Sequence, residues 1–189
     1  MRLLPLPPGS LAAEQQLLYQ DISAVVDQSF GELVARRADG ALIGPFNAWL
    51  HYPEFGSAAW ALNKSLWLHR RLPGSVHQLA ILVTAAKFGA RYQIYGHEYF
   101  AIRDGLSADK VATIVAGERP ADLTEEEGVV YDMASALARG GVLPETTYRA
   151  VIERFGEQGA AEVVFLVGCF ALVAVTLNAF DAAVPGREG

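Results

Sequence analysis

At 189 residues the chain has the length of one ordinary domain, and 52% hydrophobic against 19% charged residues gives it ample material for a core. A net charge of -6, with 15 scattered Lys and Arg residues in no run longer than Arg36-Arg37 or Arg70-Arg71, excludes the basic face that nucleic-acid binding requires. A single cysteine, Cys169, excludes an internal disulfide and fits a reducing, cytoplasmic setting, while a mean hydropathy of +0.22 predicts that copies of the chain cover part of one another.

The N-terminal residues are Pro-rich (Pro5, Pro7, Pro8) and hold no apolar stretch of signal-peptide length. From there apolar residues recur with a helical period almost throughout. Ser10 is placed to cap an amphipathic helix from Leu11 to Arg37, closed by the turn chemistry of Ala38-Asp39-Gly40. The Pro45–Pro53 passage predicts one short helical turn, and Glu54–Arg70 a further helix ended by Pro73-Gly74. Ser75 is read as the cap of a helix running to Phe88, stopped at Gly89. Arg91–Arg103 follows, then Ala108–Ala116 capped by Ser107. Thr124 and Glu127 form a capping box for a helix to Arg139, and Pro144 opens one ending near Phe155.

The last helix, from about Gln158 to Phe180, contains the apolar run Val163–Phe180, long enough to be tested as a membrane span. Thr176 and Asn178 inside it, and the lack of a flanking Lys/Arg cluster, favour a buried core helix and no membrane association. No strand-period run, repeat or long linker interrupts the pattern. The expectation is a single all-α domain over residues 1–189.

Residues 78–106, QLAILVTAAKFGARYQIYGHEYFAIRDGL, resemble the signature region of the carboxymuconolactone decarboxylase family, related to alkylhydroperoxidase D. The matching places hold Gln78, Tyr92-Gln93, His97 and Gly105-Leu106-Ser107. Gly44–Pro53 resembles the family's upstream motif and Phe165–Ala179 its closing helix, so the resemblance spans roughly residues 41–180. It implies an alkylhydroperoxidase D-like helical fold, a homotrimer or hexamer, and a small-molecule substrate of aromatic catabolism, with no cofactor. Peroxidase members of the superfamily carry Glu, eleven residues, Cys-x-x-Cys, three residues and His. Counted from Gln78, the two cysteine places fall on Ala90 and Gln93. Decarboxylase-type members carry Glu where this chain has Gln78 and Gln93. Two carboxylates are thus two amides, which donate and accept hydrogen bonds but carry no proton away.

Gln93 and His97 are four apart, on one face of a helix. With Gln78, which the resemblance turns toward the same pocket, they form the candidate catalytic set. An unperturbed imidazole titrates near neutrality, so His97 is the candidate proton donor or acceptor. A core histidine satisfied by Gln93 or a backbone carbonyl is the structural alternative. Tyr92, Asn47, Trp49 and His51 are candidate substrate-binding residues; for each, simple packing is the competing account. No metal is expected: His97-Glu98 begins an H-E-x-x-H pattern, but Ala101 stands in the second histidine's place. Three functions follow: a carboxy-lyase-like enzyme for a small organic acid or lactone, an antioxidant peroxidase disfavoured by the missing cysteines, and a non-catalytic binding or structural homologue.

Overall fold

Helices carry the whole architecture of the computed structural model, which describes residues 2–186. They are α1 (Ala13–Ser29), α2 (Pro45–His51), α3 (Pro53–Leu68), α4 (Gly74–Phe88), α5 (Arg91–Arg103), α6 (Ala108–Val115), α7 (Glu125–Arg139) and α8 (Glu145–Ala179). Among the described residues the sole β-type pairing is an isolated bridge between Arg36 and Leu42. The all-α expectation holds. The chain divides into two compact units, residues 1–64 with 176–189 and residues 65–175.

In the first unit α1 is shorter than its periodicity suggests, ending at Ser29 rather than Arg37. Gly31 takes a left-handed conformation that breaks the helix, and the chain turns back through the Arg36–Leu42 bridge. The apolar residues that prolonged the pattern still pack: Phe30 meets Phe46 at 5.9 Å, and Ala35 and Leu42 are buried. Ser10 does not cap α1; it belongs to a 3-10 turn, and its hydroxyl donates to the Pro7 carbonyl. The Gln15 side chain instead accepts from the Ala12 N–H at 2.8 Å. Phe46, Trp49 and Trp60 form an aromatic cluster with ring centroids 5.7–6.2 Å apart.

The second unit is built around α4. From Val76 to Ala85 every residue of this helix is buried, which is the signature of a helix surrounded on all sides. It packs against α5, α6 and α7. Ser75 lies inside its first turn rather than capping it, since the N-cap position is Pro73, and Gly89 closes the other end in the left-handed conformation. The Arg91–Arg103 helix, the Ser107 cap and the Thr124–Glu127 capping box stand as the sequence predicts.

Within α8, Gly156 has φ 70° and ψ 178°, so the element is two helices joined at a kink, as the Phe155/Gln158 punctuation suggests. It is long and apolar enough to cross a membrane, yet 56% of its most apolar window is buried within the protein. Val163, Leu166, Val167, Phe170, Val173 and Ala174 face inward, whereas Val164, Phe165, Leu172 and Val175 form an exposed apolar stripe. The helix is therefore a core helix with one exposed face.

Candidate functional site

The α4–α5 packing in the second unit brings Gln78 and His97 together. Gln78, fully buried on the central helix, places Oε1 2.8 Å from His97 Nδ1. An amide oxygen only accepts, so Nδ1 carries the hydrogen and donates it, leaving a lone pair on Nε2. The ring is held between aromatic faces. Phe170 of α8 meets it edge-on at 4.9 Å, and Phe100, one turn further along α5, lies at 5.8 Å. Trp67 packs on Phe100 in turn, and the Arg103 guanidinium covers Phe100 at 4.7 Å.

Gln93 lies one turn before His97 on α5 and is 2% exposed. Neither atom of its amide has a hydrogen-bond partner among the described residues, and the Nε2 of Gln78 is likewise unpartnered. Sequence spacing suggests a Gln93–His97 bond; the histidine pairs across helices with Gln78 instead. Gln78 on α4 and Gln93 on α5 thus carry three buried amide atoms whose bonding capacity the described residues leave unused. A buried polar group left unpaired costs about 1–3 kcal/mol, so their retention points to a partner outside the chain, a ligand or ordered water.

His97 is held far from its ordinary titration range. Burial among apolar rings, and secondarily the nearby His77, which opposes another positive charge, push its pKa down to about 3. At neutral pH the imidazole is uncharged. The uncharged ring, with its Nδ1–H given to Gln78, presents Nε2 as an acceptor.

A second pair sits beside Gln78 and was not visible in the sequence. His77 Nδ1 lies 2.7 Å from Glu162 Oε1, with both residues almost wholly buried. The other carboxylate oxygen accepts the backbone N–H groups of Arg71 and Leu72 at 2.6 and 3.0 Å. Burial alone would raise the Glu162 pKa, but the bonds from His77 and the two N–H groups outweigh it and leave the carboxyl below its ordinary value. The only sequence signal was an acid set at the edge of the apolar helix, 85 residues from its partner.

The remaining candidates each engage groups within the chain. Tyr92 is buried with its ring against Tyr95 at 5.9 Å, and burial, then the neighbouring phenol, raise its pKa, so it stays a neutral phenol. Asn47 belongs to the first unit, where its amide holds the Leu3, Leu4 and Leu6 backbone. His51 Nε2 donates to the Leu4 carbonyl at 2.8 Å, and Trp49 packs in the aromatic cluster. Among the described residues no group of His, Cys, Asp and Glu has the arrangement of a metal site.

No family model and no curated protein sequence matches the chain. Solved structures do. The debrominase Bmp8, in a cysteine-to-alanine form bound to 2,3,4-tribromopyrrole, superposes with a TM-score of 0.73 at 16% identity, over 98% of this chain and 92% of that one. Its apo form gives 0.72 at 16% identity over 96% and 91%. An uncharacterized peroxidase-related protein from Ralstonia eutropha JMP134, with an alkylhydroperoxidase AhpD core, gives 0.72 at 18% identity over 98% and 93%. At these identities the likeness establishes architecture. The chain has the alkylhydroperoxidase D-like fold, as its resemblance over residues 41–180 implies.

Proposed function

We propose that the protein is a carboxymuconolactone decarboxylase-like lyase acting on a small organic acid or lactone, with Gln78, Gln93 and His97 as its polar site groups. The observation that carries this reading is the Gln78–His97 hydrogen bond flanked by three unpartnered buried amide atoms. Loss of carbon dioxide from an unsaturated lactone acid leaves an electron pair delocalised into the lactone carbonyl. Amide N–H groups of Gln78 and Gln93 donate to the developing enolate oxygen, in a site where desolvation strengthens each bond. One solvent proton must then reach carbon. His97 Nε2 takes it up and delivers it, with Nδ1–H fixed by Gln78 so that the ring keeps one tautomer.

On the same reading the enzyme is cytoplasmic, serves aromatic catabolism and works as a homotrimer or hexamer. The exposed stripe of Phe165, Leu172 and Val175 on α8 supports self-association. Thiol peroxidase chemistry has little support, since Cys169 is buried and the sequence offers it no second cysteine.

One observation favours a second reading, a homologue that binds a small molecule without transforming it. Gln78, Gln93 and a histidine with its pKa near 3 give the site no group that titrates around neutrality. Turnover of 4-carboxymuconolactone by the purified chain, followed by carbon dioxide release, decides between them. Turnover that falls by about a hundred- to ten-thousand-fold in His97→Gln supports the enzyme. No turnover, with saturable lactone binding, supports the second reading.

A further inference from the structure

We infer that the group seated on Gln78 and Gln93 is a neutral carbonyl flanked by an N–H or O–H donor, as in a lactam, a carboxamide or a hydroxy-carbonyl ring, and not a free carboxylate or phosphate. This rests on the reading of Gln78, Gln93 and His97 as one binding site.

The unused bonding capacity defines the complement. Gln78 Nε2 and Gln93 Nε2 are donors and need a ligand acceptor. Gln93 Oε1 is an acceptor and needs a ligand donor, as does the Nε2 lone pair that the Gln78 bond leaves on His97. A carbonyl with an adjacent N–H or O–H serves both kinds of group. A carboxylate serves only the donors, and it would leave Gln93 Oε1 and the His97 lone pair facing its own negative oxygens. Exchanging the oxygen and nitrogen of the Gln78 amide moves the imidazole hydrogen to Nε2 but adds no charge, so the site remains neutral in either arrangement.

The charged side chains nearby are engaged with one another. His77 and Glu162 engage each other at 2.7 Å, and Glu162 is further occupied by two backbone N–H groups. Arg70 and Arg103 both bind Asp104, at 3.1 and 3.2 Å. Phe100 and Phe170 supply the apolar walls beside His97. Among the described residues no cationic side chain is bonded to Gln78, Gln93 or His97, and an unpaired charge is far more costly to bury than a hydrogen-bonded neutral group. A substrate that also carries a carboxylate would place a neutral hydroxy-carbonyl end here and keep the acid elsewhere.

Benzamide and benzoate test this, because they share a ring and a planar head and differ by one charge. In protein-observed NMR of the full chain at neutral pH, benzamide should shift the His97 ring and both glutamine NH2 signals saturably. Benzoate should bind at least about tenfold more weakly. Gln93→Met should weaken benzamide by about tenfold without lowering the melting temperature, which separates lost recognition from lost folding. Benzoate binding as tightly as benzamide at these same signals would overturn the neutral-ligand inference and leave the site reading intact. Neither probe shifting His97 or the glutamines at about 10 mM would overturn the site reading and the inference with it.

Discussion

Gln78 Oε1 and His97 Nδ1, 2.8 Å apart, join the central helix α4 to α5 through a bond between two uncharged side chains. That neutrality has a pH signature. A histidine whose folded pKa lies near 3, against 6.5 when unfolded, binds its proton more readily in the unfolded chain. Its contribution to stability is complete above 6.5 and is lost as pH falls from there toward 3, by at most about 1.4 kcal/mol per pH unit. Urea midpoints should fall between pH 6.5 and pH 4.5, and His97→Gln should flatten that slope. An unchanged slope in the variant would place the titrating group elsewhere.

The unpartnered Gln93 amide predicts an inverse relation between stability and binding. Gln93→Met keeps the length of the side chain and removes two buried polar atoms that the chain leaves unsatisfied. The ligand-free protein should gain about 1–2 kcal/mol in chemical denaturation while losing binding or turnover. A loss of stability of that size would show that water or protein already satisfies the amide, and that its role is structural.

Glu162 predicts the opposite. Its carboxylate holds His77 and the Arg71 and Leu72 N–H groups in a nearly dry setting. Glu162→Ala leaves all three without an acceptor and should cost about 3–5 kcal/mol, the range for breaking a buried pair from one side. Because the folded carboxyl pKa is lowered, its contribution stands above the ordinary value of 4.5 and fades as pH falls through and below it. A loss under about 1 kcal/mol would mean that the pair is solvated in solution.

These residues show what the sequence discloses and what it hides. The helices, the Gly89 stop, the break between Phe155 and Gln158 and the Thr124–Glu127 box were legible because each is a local pattern, settled within a few residues. The end of α1 was not, because Gly31 interrupts an apolar rhythm that Phe30 and Ala35 continue for packing reasons alone. Gln78 and His97 came from the resemblance, whereas the bond between them is a tertiary fact; spacing on one helix offers only Gln93 or a backbone carbonyl as the histidine's partner. Asn47 and His51 read as site residues but hold the N-terminal segment by its backbone, a use that polar side chains near prolines do not announce. Glu162 and His77 escaped notice entirely, since a long-range buried pair leaves no periodic trace.

The outward stripe of α8 predicts self-association. Phe165 is 57% exposed and Val175 53%, on the same helix face as Leu172. Apolar surface grouped this way is commonly covered by a partner. Light scattering should give a multiple of 20.4 kDa, and Phe165→Lys should reduce it toward the single-chain mass without unfolding the protein. A wild-type mass of 20.4 kDa at micromolar concentration would remove the proposed trimer or hexamer.

The two amides at 78 and 93 can be turned back into acids, and the imidazole between the helices reports the result. A carboxylate at 78 would place a negative charge against His97 Nδ1, where Gln78 Oε1 now sits at 2.8 Å. An opposite charge at that range favours the imidazolium, so Gln78→Glu should raise the His97 pKa from about 3 back toward its ordinary 6.5. The Hε1 chemical shift followed through a pH titration reads this directly. With Gln93→Glu added, the site would hold two acids and a histidine that titrates near neutrality, the set that general acid–base catalysis uses. If the natural protein has lost a decarboxylase activity, the double variant should release carbon dioxide from 4-carboxymuconolactone where the wild type does not. A wild type already active on that lactone would show that hydrogen bonding by amides suffices for the enolate. A titration that moves while activity stays absent would mean that the missing element is the shape of the site rather than its charge.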